Sequence, residues 1–118
     1  MKFFTHFKDN KSEVTQDEYV AMVHMLGFIT QEGFYPGNFR SNGLEGSIEG
    51  YDTFTVSWWS DLHCMASVDK LPFDYRTVSE SPTNLRAKFS TQIKAESSEA
   101  ASAILKHFLP QAEIARVK

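Results

Sequence analysis

Cysteine occurs once in the 118 residues, as Cys64, which excludes an internal disulfide framework and fits a reducing compartment. No window holds 18 consecutive apolar residues, so no segment reads as a membrane span. The opening Met1–Lys8 stretch is too short and too interrupted by polar groups to act as a secretory core. Together these features give the expectation of a soluble, cytoplasmic protein without membrane contact. A strong charge of either sign is also missing, the net charge being −3. With no dense cluster of Lys and Arg to neutralise phosphates, direct nucleic-acid binding is not expected.

Motifs that fix a reaction are missing too. Gly33, Gly37, Gly43, Gly46 and Gly50 follow neither a dinucleotide fingerprint nor a phosphate-loop spacing. His6, His24, His63 and His107 are scattered over the chain without the spacing of a zinc motif. Asp61 and His63 could share a strand face, but two ligands do not make a metal site. Cys64 beside His63 faces away from it in a strand and packs as a small apolar group. The sequence therefore implies no catalytic residue, no metal and no cofactor.

What is present is a packed globular composition, 42% hydrophobic with ten Phe, four Tyr and two Trp. Thr15-Gln16-Asp17-Glu18 is a capping box that opens a helix over 15–26, with Tyr19, Met22, Val23 and Leu26 as its buried stripe and Gly27 as its stop. A second helix is predicted over 98–109, burying Ala101, Ile104, Leu105 and Phe108 before Pro110 ends it. Residues 31–43 read as a long loop carrying Phe34, Tyr35 and Phe39. Strands are predicted near Met1–Phe7, Leu44–Glu49 and Tyr75–Ser79, with a turn at Ser81-Pro82-Thr83-Asn84. Leu85, Ala87, Phe89, Thr91 and Ile93 alternate with Arg86, Lys88, Ser90, Gln92 and Lys94, a half-buried strand whose basic outer face reads as solvated.

Tyr51–Val68 carries adjacent tryptophans, which the pleat forces to opposite faces. It reads as a hairpin in which Trp58 pairs with Leu62, Val56 with Cys64 and Phe54 with Ala66. That register sets Trp59 at an exposed three-residue tip, Trp59-Ser60-Asp61. The predicted fold is a single α+β domain, residues 1–118. An antiparallel sheet of about five or six strands carries both helices on one face, and 110–118 form a loosely ordered tail.

Function is read from a charge asymmetry. The first 61 residues hold nine carboxylates against four cations, and the remainder six against eight. An acidic, aromatic band runs from Gln31 to Asp61, and exposed Trp or Tyr among carboxylates suits capture of a cationic protein. The expectation is a non-enzymatic, inhibitor or immunity-type or escort protein that covers a basic partner such as a nuclease toxin or a nucleic-acid-handling enzyme. Trp59, Tyr35, Glu45, Glu49, Asp52 and Asp61 would make the contact. The alternative is a small-molecule-binding domain or small enzyme with its pocket between the sheet and the 31–43 loop, and self-association into a homodimer is a third arrangement.

Overall fold

Thr15 begins the first helix, α1 (Gln16–Met25), through both halves of its capping box. The Glu18 amide donates to Thr15 Oγ1 (3.2 Å) and the Thr15 amide donates to Glu18 Oε1 (2.9 Å), which holds the Glu18 carboxyl below the usual carboxylate range. The far end closes as a Schellman motif: Gly27 takes φ 77°, its amide donates to His24 O, and the Phe28 amide reaches Val23 O at 2.8 Å. The long C-terminal helix, Ser98–Phe108, is capped by Ser97, whose hydroxyl accepts from the Ala100 amide. A third, single-turn helix lies between them at Met65–Val68, so the three are α1, α2 (Met65–Val68) and α3 (Ser98–Phe108).

The computed structural model describes the chain except residues 62–63 and 82–84 and the side chains of residues 80 and 81. In place of one sheet of five or six strands, the described residues form two antiparallel sheets of four. The first joins β1 (Lys2–Phe7), β2 (Asn10–Val14), β3 (Asn38–Ser41) and β4 (Leu44–Glu49) in the order β2-β1-β4-β3. The second joins β5 (Asp52–Asp61), β6 (Tyr75–Ser81), β7 (Arg86–Ala95) and β8 (Glu113–Val117) in the order β6-β7-β5-β8.

Three expectations are corrected by this pairing. The Tyr51–Val68 hairpin does not form: β5 runs straight to Asp61, and Met65–Val68 turns into helix, with Cys64 half-buried at its start. Leu62 and His63 lie outside the described residues, as does most of the Ser81–Asn84 turn. The partners of β5 are β7 and β8, with Trp58 opposite Phe89 and Ile114 and Val56 opposite Thr91 and Val117. A ten-residue partner strand offers β5 far more ladder hydrogen bonds and apolar cross-strand contacts than a short return arm could. Residues 110–118 are likewise no loose tail. They supply edge strand β8, with a register shift where Ala115 is left over between Trp58 and Ser57. The 31–43 loop, finally, contains β3, turned into β4 by Asn42 (φ 50°) and Gly43 (φ 85°), the pair a two-residue hairpin turn requires.

Each sheet buries one face. Phe3, Phe39 and Ile48 face α1 from the first sheet, while Val56, Trp58, Phe89 and Ile93 face α3 from the second. One cluster unites them. Phe28, delivered by the Schellman turn, packs edge-on against both Phe39 (5.4 Å) and Phe108 (5.2 Å), and His107 Nε2 donates to the Gly27 carbonyl at 2.7 Å. The edge of β7 left uncovered by β6 is closed by the first sheet: Gly37 N–H donates to Lys94 O, and the Asn38 amide bonds Gln92 O and the Lys94 amide.

Tyr19, Tyr35 and Tyr51 pack in succession with tilted rings 6.2 and 6.3 Å apart, and the Tyr19 hydroxyl donates to Pro36 O at 2.9 Å. Burial, then the neighbouring phenols, push Tyr19 well above the ordinary tyrosine value of 10.0, and burial with the Tyr35 hydrogen bond does the same to Tyr51. Because folding raises these values, their contribution is complete below the unfolded value and is lost as pH rises above it. The urea midpoint should therefore fall steadily as pH rises above about 10, and a Tyr19→Phe, Tyr51→Phe variant should show a flatter fall. Equal slopes for the two proteins would contradict this account.

Candidate functional site

Of the six residues expected to form one acidic contact, Glu49 and Asp52 flank the Gly50-Tyr51 turn, where Tyr35 packs against Tyr51 at 6.3 Å, while Glu45, Trp59 and Asp61 lie elsewhere along β4 and β5. Asp52 and Asp61 begin and end β5, nine residues and about 30 Å apart along an extended strand. Glu45 belongs to the other sheet, where it is held by Arg40 Nε (2.8 Å) and lies 3.5 Å from His6 Nδ1. Glu49 ends β4, paired in register with Lys2. Tyr35 is packed between Tyr19 and Tyr51, so the 31–37 segment occupies the space beneath it with its own side chains. Trp59 sits at no hairpin tip. It lies within β5, half-buried, between Lys88 on β7 and Glu113 on β8, with the Arg86 guanidinium 5.4 Å from its ring.

What the sheets do assemble is a different surface. On β5 the even-numbered residues face the core and Thr53, Thr55, Ser57, Trp59 and Asp61 face away from α3. Register then fixes their neighbours in rows. Arg76, Ser90, Ser57 and Arg116 form one row across all four strands, so two arginines flank two serines. The row below runs Gln92, Thr55 and Lys118, the last bonded to Thr55 through both backbone groups. Lys88 and Lys94 stand above and below on β7, six residues and about 20 Å apart. Half of the chain's twelve cations thus share one face, although the whole molecule is acidic.

Among the described residues, the carboxylates on this face are Glu113, which Arg86 holds at 2.6 Å, Asp61, which stands opposite Arg86 in register, and Asp74, which lines its cleft 3.4 Å from the Arg40 guanidinium. Among the described residues, Arg76, Lys88, Lys94 and Arg116 have no carboxylate partner. Comparison with known protein families, curated proteins and solved structures returns no match. The site therefore rests on its own geometry.

A cleft of about 540 Å³ opens in the face where β6 begins, lined by Asn38, Thr55, Asp74, Tyr75, Arg76, Ser90 and Gln92. Asn38 and Asp74 also border a second cleft of about 270 Å³ on the first sheet, where Arg40 bridges Glu45 and Asp74. The two recesses are neighbours on the side away from the helices. Chemically the larger one offers hydroxyls, amides and a guanidinium beside the Asp74 carboxylate, a mixed donor and acceptor set suited to a polar ring edge. Among the described residues no group of three His, Cys, Asp or Glu is placed to hold a metal, and no helix is long and apolar enough to cross a membrane.

Arg76, Arg116 and Lys118 escape sequence reasoning because bulges break the period-2 signal of their strands. Ile114 and Val117 both face the core but are three residues apart, with Ala115 as the extra residue. The usable signal was the pair of β-branched residues in that short C-terminal run, together with the regular alternation of β7 that required partners on both sides.

Proposed function

We propose that the protein is a binding module whose contact surface is the outer face of β6-β7-β5-β8, and that its partner is an anionic macromolecule. The reading is carried by the segregation of unpaired cations around a floor of Thr, Ser and Gln on a face that the helices leave open. An inhibitor or escort role remains compatible with this surface, but the partner's complementary patch is acidic rather than basic. Charge clustered on one face steers partners of opposite sign even when the net charge of the molecule has the wrong sign.

Heparin-agarose tests this reading. A protein of net charge −3 should nonetheless be retained in about 50 mM salt at neutral pH, since local rather than total charge governs contact within a Debye length of roughly 14 Å. The Arg76→Glu, Lys88→Glu, Arg116→Glu variant should pass straight through, whereas Lys2→Glu, Lys8→Glu, Lys11→Glu, with the same charge change on the first sheet and its turn, should still bind. Flow-through of the unmodified protein, or equal loss in both variants, would remove the face as the site.

A further inference from the structure

Resting on that reading, we propose that the anionic partner is a single-stranded nucleic acid lying across the outer face of the second sheet, with Trp59 as its stacking platform. Three observations select this occupant from other polyanions. First, the composition is wrong for a protein partner. Protein interfaces draw on aromatic and apolar anchors and deplete charge at their centre. Here Trp59 is the one aromatic among the paired outer-face residues described for the sheet, and the centre is Ser57, Ser90, Thr55 and Gln92. Polar, cation-rich surfaces of this kind are the habit of nucleic-acid interfaces.

Second, the shape excludes a duplex groove. Four strands place the axes of β6 and β8 about 14 Å apart before side chains are added, wider than the roughly 12 Å major groove that admits a helix or a two-stranded ribbon. A broad open sheet instead accepts unstacked bases laid across it.

Third, aromatic and cations stand together. Trp59 is flanked by Lys88 in register, and Arg86 is held over its ring by the Glu113 carboxylate, so the indole and guanidinium form a prebuilt stack to which a base can add. Lys88, Arg76 and Arg116 at the two ends of the serine row, and Lys94 beyond them give four cations without a carboxylate partner among the described residues, available to phosphates. The 540 Å³ cleft beside Arg76 presents the Gln92 amide and the Thr55 and Ser90 hydroxyls to the edge of a splayed base.

Fluorescence anisotropy with 5′-labelled (dT)20 and (rU)20 decides the matter. Four phosphate contacts predict a log–log salt slope of about −2.8, hence about 50-fold weaker binding at 200 mM than at 50 mM salt. Arg76→Gln, Arg116→Gln should halve the slope to about −1.4, because two of the four contacts are gone. Trp58 is fully buried, so quenching of the intrinsic fluorescence by the oligonucleotide should disappear in Trp59→Phe. Absence of binding at 50 mM salt, an equally tight complex with a duplex of the same length, or a slope unchanged in the double variant would each overturn the proposal. Polyaspartate competing as well as the oligonucleotides would overturn it too, while leaving an acidic polypeptide as occupant of the same face. Loss of heparin retention together with oligonucleotide binding would defeat both readings.

Discussion

Trp58→Ala is expected to remove about 4 kcal/mol of folding stability, a large share of the roughly 5–15 kcal/mol such a domain commands, while Trp59→Ala removes less than about 1 kcal/mol. The adjacent residues differ only in the face they occupy. Trp58 is fully buried, stacked at 4.6 Å on Phe89, and donates its indole N–H to Thr91 Oγ1 at 3.0 Å. Truncation opens a cavity that the flanking β7 and β8 are too tightly paired to collapse into, and it strips the buried Thr91 hydroxyl of its partner. Trp59, being half-exposed on the outer face, loses only its contacts with Arg86 and the neighbouring rows. Urea denaturation of the two variants checks this. Similar losses would mean that the strand's faces have been assigned the wrong way round.

Gly46→Ala should be the most damaging single-methyl change, lowering stability by about 2–3 kcal/mol. A Cβ built on Gly46 would fall within 2.7 Å of three ring carbons of Phe39, its cross-strand partner. The ring lies directly over the glycine and cannot retreat, because Tyr19 and Phe28 pack against it at 6.0 and 5.4 Å. The same methyl should cost much less in a Phe39→Leu background, whose smaller side chain frees the space. A double-mutant cycle would show that coupling as a non-additivity on the order of 1 kcal/mol or more, and strict additivity would contradict the contact.

How much of this was legible beforehand depends on the length scale of the signal. Both long helices were placed to within a residue or two, because Thr15, Glu18, Gly27, Ser97 and Pro110 act on their own turns through hydrogen bonds three to five residues long. The inward face of β7 was legible for the same reason: alternation is written into the strand itself. The Asn42-Gly43 turn is equally local, but the Gly and Pro residues before it make 31–43 read as one long loop. Polar β2, with Asn10, Lys11, Ser12 and Glu13 exposed at a sheet edge, offered no alternation to read.

Pairing was not legible. Phe54, Val56 and Trp58 specify that one face of β5 is buried, yet any apolar strand face satisfies that demand. The nearby Leu62–Val68 segment looked as good as the distant β7 and β8. Closing a short loop costs less entropy than closing a long one, so sequence reasoning favours the near partner. The structure chooses the ten-residue ladder and the C-terminal strand. Without the hairpin, Trp59 and Asp61 part from Glu49, Asp52 and Tyr35, which lie at the opposite end of β5.

By itself, then, the amino-acid sequence determined an α+β chain with two well-capped helices, a buried and an outward tryptophan on one strand, and a regular strand with cations on its outer side. Only the tertiary structure decided what surrounds Trp59. Arg76 and Arg116 alone are separated by forty residues of chain. They become one surface because strand register aligns residues from β6, β7, β5 and β8 at about 4.8 Å spacing and sorts them by face. Charge clustering is a property of that ladder, and long-range pairing leaves no mark in the local pattern from which a sequence is read.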